Sequence, residues 1–167
     1  ATRPTSDRAR ESLFNVLAHS GWAPDLVGAR VIDLFAGSGA LGLEAMSRGA
    51  SFCVFVETAH AARGVIRQNI EALGLFGTTR LQRRSAIDLG NRPAGVGDPF
   101  DIAFLDPPYN KGLVQPCLRV LTEGDWLSER VLVVAETATD EALNLANWTC
   151  VSERSIGAAK FWFLRPG

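Results

Sequence analysis

Val31-Ile32-Asp33-Leu34-Phe35-Ala36-Gly37-Ser38-Gly39-Ala40-Leu41-Gly42 is the stretch that decides the fold. Residues 31–35 are apolar apart from one carboxylate, which predicts a buried strand. Ala36 to Gly39 are small and predict a turn. Leu41 to Arg48 predict a helix that stops at Gly49. Glycines at 37, 39 and 42 let the backbone approach a ligand closely, and the helix N-terminus favours negative charge there. Glu57 ends the next apolar run, twenty residues beyond Gly37. A carboxylate at that point can accept hydrogen bonds from two ribose hydroxyls. The stretch therefore predicts an adenosine-type ligand at the carboxyl ends of parallel strands.

The same alternation continues outward. Residues 52–56 predict a strand, and 59–73 a helix stopped by Gly74. Strands follow at 79–84 and 101–105, separated by a Gly- and Pro-rich loop over 88–99. Residues 113–121 predict a helix, 131–135 a strand and 139–146 a short helix. The tail predicts two strands, 149–154 and 160–164, around Gly157. They leave little room for a crossover helix and are expected to pair as an antiparallel hairpin at a sheet edge. Upstream, 5–20 predicts a helix capped by Thr5, Ser6 or Asp7, with a connector over 22–30. Strands alternating with helices imply an α/β fold with a parallel sheet and right-handed crossovers. No repeat or linker divides the chain, so residues 1–167 are expected to form a single domain.

Composition narrows the class. Apolar residues make up 47% and charged residues 21%, the balance of an ordinary globular domain. No run approaches the roughly eighteen apolar residues of a membrane helix, and the first residues carry no apolar signal segment. Cys53, Cys117 and Cys150 are too scattered for a disulfide framework or a metal site, which suits a reducing cytoplasm. The net charge of −1 gives no support to nucleic-acid binding. The 17 basic residues include only two lysines, Lys111 and Lys160. Arginine favours bidentate phosphate contacts, although genome composition could produce the same skew. His19 and His60 lie in no motif.

Two features separate S-adenosylmethionine from a dinucleotide. Asp33 lies four residues before Gly37. In S-adenosylmethionine-dependent methyltransferases an acid near this point contacts the methionine amino group; a dehydrogenase has no ammonium there. The second feature is Asp106-Pro107-Pro108-Tyr109, directly after the fourth strand. Two prolines fix φ and remove two backbone donors. The Asp106 side chain and the Pro107 carbonyl become two acceptors on a stiff mount, with Tyr109 supplying an aromatic face. That set suits an exocyclic base amine, whose lone pair is delocalised into the ring. Two acceptors on its hydrogens localise the lone pair, and the ring stacks on a flipped or unpaired base. Positioning and electrostatics then supply the rate.

Three stretches resemble the RsmD family of bacterial 16S rRNA guanine-N2 methyltransferases. They are Arg3 to Asn15, Val31 to Ala50, and Asp106 to Tyr109 with Gly112 just beyond. The resemblance implies a Rossmann-like class I methyltransferase: a seven-stranded, mostly parallel sheet, antiparallel last strand, helices on both faces. It implies S-adenosylmethionine as cofactor, held by Asp33, Phe35, Ala36, Gly37, Ser38, Gly39, Glu57, Ser85 and Ala86. It implies catalysis by Asp106, Pro107, Pro108 and Tyr109, and no metal. The expected substrate is one guanine of 16S rRNA in a partly assembled 30S subunit, methylated by a cytoplasmic monomer. Arg8, Arg10 and Lys111 are expected to face RNA or brace the site. Arg3 joins the first basic cluster; Arg80, Arg83 and Arg84 form a second. Three departures stand out: Ser85 where the family has Asp or Asn, Ile156 where it has Tyr, and no basic hairpin before Arg3.

Other readings remain. The tetrapeptide chemistry also serves adenine or cytosine of DNA and protein glutamine, although the chain has no room for a target-recognition domain. A non-catalytic RNA-binding module would not need Asp106 and Tyr109. A dinucleotide oxidoreductase would bind NADH.

Overall fold

The computed structural model describes residues 6–167. Seven strands form one sheet in the order β3-β2-β1-β4-β5-β7-β6. In chain order the elements are α1 (Asp7–His19), β1 (Arg30–Leu34), α2 (Ala40–Ser47), β2 (Phe52–Val56), α3 (His60–Leu73) and β3 (Thr79–Gln82). These are followed by β4 (Phe100–Leu105), α4 (Val114–Glu123), β5 (Leu127–Ala138), β6 (Trp148–Ile156) and β7 (Ala159–Pro166). Strands β1 to β5 pair parallel, and β7 pairs antiparallel with both β5 and β6. The expected class I topology, including the antiparallel last strand, is what the chain forms.

Strand alternation sorts side chains to two cores. Val31, Cys53, Phe55, Ile102, Phe104, Leu132 and Val134 pack under α1, α2 and α3. Ile32, Leu34, Val54, Ala103, Leu105 and Val133 pack against α4. Such a sheet, covered on both faces, must be apolar on both phases, which is why its strands read as near-continuous apolar runs.

Helix α1 begins at Ser6, whose hydroxyl accepts the Ala9 N–H at 3.1 Å. Ala9, Leu13, Phe14 and Leu17 are its buried stripe. Burial of Leu13 and Phe14 contributes about 1.5–3 kcal/mol each. Arg10 pairs with Glu44, and the Arg48 guanidinium lies over the Phe14 ring, so α1 runs alongside α2 in the same direction. The first turn of α1 thus lies at the end of the sheet where α2 begins. Arg3, and Thr5 as a cap, lie outside the described residues.

Two expectations need correction. Residues 139–146 are not a helix but turn and irregular chain. Leu143 and Leu145, two apart, both pack on the α4-side core. Glu141 is drawn away to accept the N–H groups of Asn110 and Ala138. Tertiary contacts therefore outweigh the local preference. Strand β5 also begins earlier than 131: Leu127 pairs with Phe100 before a register shift resumes pairing at Ile102–Leu132.

Candidate active site

The chain runs outward from β1 through β2 to β3, then returns to β4 on the other side of β1. The crevice between the carboxyl ends of β1 and β4 is the topological switch point, where open α/β sheets bind ligands. The glycine loop leaves β1 there, and Asp106 leaves β4 there. Their backbones touch, with the Asp106 N–H 3.4 Å from the Leu34 carbonyl.

The loop is built on unusual backbone. Phe35 and Gly37 have φ of 58° and 59°, and Gly39, the cap of α2, has φ of 81°. A Cβ on Gly42 would lie 2.5 Å from Phe55 Cε1 and 2.7 Å from Cys53 Sγ, so only glycine lets α2 sit this close to β2. The Ala36 N–H donates to the Val56 carbonyl and the Gly39 N–H to the Ala36 carbonyl. Ser38 is exposed.

Four acids stand in a row across adjacent strand ends. In spatial order they are Glu57, Asp33, Asp106 and Glu136, on β2, β1, β4 and β5. All share the strand phase that faces α1 to α3, since Asp33 follows Val31, Glu57 follows Phe55, Asp106 follows Phe104 and Glu136 follows Val134. Asp33 is 1% exposed, and its Oδ2 accepts the Gly42 N–H at 3.0 Å. Burial, opposed by that bond and reinforced by the Glu57 charge, pushes the Asp33 carboxyl up to about 8. The Cys53 thiol below it is raised as well, by burial and then by Asp33. Glu57 is half-buried. Its Oε1 accepts the Gly37 N–H at 2.7 Å and its Oε2 the Ala59 N–H at 2.9 Å. Each oxygen keeps a second lone-pair site.

Asp106 and Pro107 are buried, and Pro108 and Tyr109 half-buried. The Tyr109 hydroxyl donates to Glu136 Oε2. Asn110, at φ 59°, donates its N–H to Glu141 Oε1 at 3.1 Å. Sequence reading did not single out Glu136. Its one signal is a carboxylate closing the apolar run Val131 to Ala135, the same signature that drew attention to Glu57.

Beyond β3, Ser85 is half-buried; its carbonyl accepts the Asp88 N–H and its hydroxyl the Ile87 N–H. Ala86 packs into the α4-side core. Arg8 and Lys111 are exposed. Arg10 is held by Asp7 at 3.0 Å and Glu44 at 3.6 Å, which braces α1 against α2. No group of three or more potential metal ligands occurs among the described residues, and no helix there is long and apolar enough to cross a membrane.

This strand order and its methyltransferase relatives define a class I, S-adenosylmethionine-dependent methyltransferase. The family described as Conserved hypothetical protein 95 matches residues 1–165. Ribosomal RNA small subunit methyltransferase D of Escherichia coli K12 is 36% identical over 161 residues, 95% of this chain and 77% of that protein. Its Haemophilus influenzae counterpart is 33% identical over 95% of this chain and 80% of its own length. A solved Escherichia coli chain, yhhF, superposes with a TM-score of 0.81 at 33% identity, over 99% of this chain and 88% of that one. The chain belongs to the ribosomal RNA small subunit methyltransferase D family.

Proposed function

We propose that this enzyme transfers a methyl group to the exocyclic N2 amine of a guanine in 16S rRNA, acting as a cytoplasmic monomer on the partly assembled 30S subunit. The observation that carries the amine chemistry is the Asp106-Pro107-Pro108-Tyr109 turn beside the glycine loop at the switch point. Guanine and 16S rRNA rest on the family.

The residues present fit S-adenosylmethionine. A buried carboxyl at Asp33 suits an ammonium. Glu57 suits a pair of ribose hydroxyls. Gly37 at positive φ has nothing within 4 Å of where a Cβ would project, so the loop is open on that side. Asp33, Phe35, Ala36, Gly37, Ser38, Gly39, Glu57, Ser85 and Ala86 would hold it. When bound, it supplies an electrophilic methyl carbon on a sulfonium.

The chain's own residues then do three things. Pro107 and Pro108 keep the turn rigid, so the Asp106 carboxylate and the Pro107 carbonyl stand as fixed acceptors for the two amino hydrogens. Holding those hydrogens localises the nitrogen lone pair, and positioned acceptors need no reorganisation when charge develops on nitrogen. Asp106 takes the proton that the methylated nitrogen sheds. Tyr109 stacks on the flipped base, a contact worth about 1–3 kcal/mol.

Methylation of small-subunit particles and of naked rRNA, followed by mass-spectrometric mapping, tests this reading. The expected product is N2-methylguanine at one position, formed faster on particles. Methyl groups found only on DNA adenine or cytosine, or on protein glutamine, would move the enzyme to the runner-up reading.

Charge supports an RNA-facing rim at the carboxyl ends of the strands. Arg83 and Arg84 directly follow β3, Lys111 follows Tyr109, and Arg8 is in the first turn of α1. All four are exposed and form no ion pair among the described residues. At the opposite end, three arginines are tied down. Arg30 bonds to the Asp98 and Val96 carbonyls, Arg92 to Asp125, and Arg165 to the Trp22 and Arg130 carbonyls. Arg83→Ala with Arg84→Ala is expected to weaken RNA binding about tenfold at moderate salt and flatten the salt dependence by roughly one to two phosphate contacts. Filter binding across a salt series measures it; an unchanged slope would remove these arginines from the interface.

A further inference from the structure

We propose that Glu136 is a positioning residue for methyl transfer, which it serves by gripping the phenol of Tyr109. The inference rests on the proposed role of Tyr109 as the stacking face for the base.

Strand register sets the two groups together. Leu105 pairs with Ala135 in the parallel β4–β5 ladder, so the next residues, Asp106 and Glu136, emerge side by side. Glu136 is only 2% exposed. Its strand neighbours Val133, Val134 and Ala135 are apolar and buried. An apolar side chain at 136 would continue that core at no desolvation cost, whereas burying a carboxylate is expensive unless it is hydrogen-bonded. The bond observed runs to the aromatic ring of the catalytic turn, 27 residues away in sequence.

The geometry explains what the bond does. A stacking ring works only if its plane is fixed before the base arrives, because misplacement by about 1 Å can cost a hundredfold in rate. Tyr109 is restrained from three directions. Pro107 and Pro108 stiffen the backbone before it. After it, the Asn110 N–H is tied to Glu141. Glu136 fixes the far end of the ring itself. Without Glu136 the backbone restraints remain, but this hold on the far end of the ring is lost.

Tyr109 is the only tyrosine in the chain, so a ring label reports it alone. The ring signals of the labelled tyrosine, with circular dichroism monitoring the fold, are expected to show a ring held in one environment. Glu136→Gln keeps the shape but makes the acceptor neutral, which weakens the bond, and the ring signals are expected to shift and broaden. Methyl-transfer kinetics of Glu136→Gln, Tyr109→Phe and the double variant complete the test. Each single change is expected to lower kcat about tenfold with KM for RNA within about twofold, and the double variant to be no worse than either, because both break one link. Unchanged tyrosine ring signals in Glu136→Gln, or losses that multiply in the double variant, would overturn the assignment. If the unaltered enzyme failed to methylate rRNA, the proposed substrate would fall, and the tyrosine ring signals would still decide whether Glu136 holds the ring.

Discussion

Asp106→Ala is expected to lower kcat by about a thousandfold or more while cofactor affinity stays within a few-fold of the unaltered enzyme. Two losses coincide at one side chain. A fixed acceptor on the amine is worth about a hundredfold to a thousandfold, by analogy with a single preorganised hydrogen bond in a transition state. Loss of the proton acceptor adds about a further hundredfold. Asp106→Asn keeps one acceptor oxygen and the shape but not the charge, so it is expected to fall between, near a hundredfold. The proposed cofactor residues are spared because Asp33, Glu57 and the glycine loop sit on β1 and β2, across the switch point from Asp106. Asp106 is buried, so circular dichroism and a thermal melt accompany the kinetics to separate loss of chemistry from loss of fold. Single-turnover transfer alongside calorimetric binding measures the split. Near-normal transfer by Asp106→Ala would end the two-acceptor mechanism.

The second large effect concerns Asp33, where binding and stability should move in opposite directions. Its carboxyl is raised from 3.8 to about 8, mainly by burial and further by Glu57, against the pull of the Gly42 N–H. At neutral pH the unliganded protein therefore holds Asp33 protonated. In the unfolded chain it ionises at its ordinary value, so the folded state binds the extra proton between pH 3.8 and about 8. The stability this gives is fully present below 3.8 and is lost as pH rises towards 8. An ammonium at this position requires the ionised form, so S-adenosylmethionine binding should release a proton. Affinity should climb with pH and level off near 8. Asp33→Asn abolishes the proton release and is expected to lower affinity roughly tenfold to a hundredfold, the scale of one hydrogen bond to a charged group. It should also raise stability at pH 8 by about 1 kcal/mol or more, since one unit of displacement corresponds to roughly 1.4 kcal/mol. Calorimetry in buffers of different ionisation enthalpy, with thermal melts across the same range, tests both. PH-independent binding would remove Asp33 from the ammonium contact.

How much of this was legible in the order of residues depends on how local each cause is. The strand-loop-helix unit around Gly37 was readable because apolar runs and glycines act within a few residues, and the structure follows it to within one residue at either end. The same holds for the cap expected at Thr5, Ser6 or Asp7, which falls on Ser6, for the stop at Gly74 and for the halt of β4 at Asp106, where a hydroxyl, a left-handed glycine and a proline pair each act on their own backbone. Residues 139–146 misled for the converse reason. Their local helical preference is overridden, because Glu141, Leu143 and Leu145 are each claimed by partners elsewhere in the chain. Arg10 shows the same limit. In sequence it belongs to a basic cluster; in the fold it is committed to Glu44 on another helix.

The sequence by itself determined the fold class, the glycine loop after β1 and the proline-stiffened turn after β4, because periodicity, backbone freedom at glycine and backbone stiffness at proline are properties of short segments. Only the tertiary structure decided that Glu57, Asp33, Asp106 and Glu136 form one row of acids on a single face, and that Glu136 holds Tyr109. Those relations come from the register of strands brought together by crossovers, and the energies that select a register belong to the packed sheet rather than to any one strand.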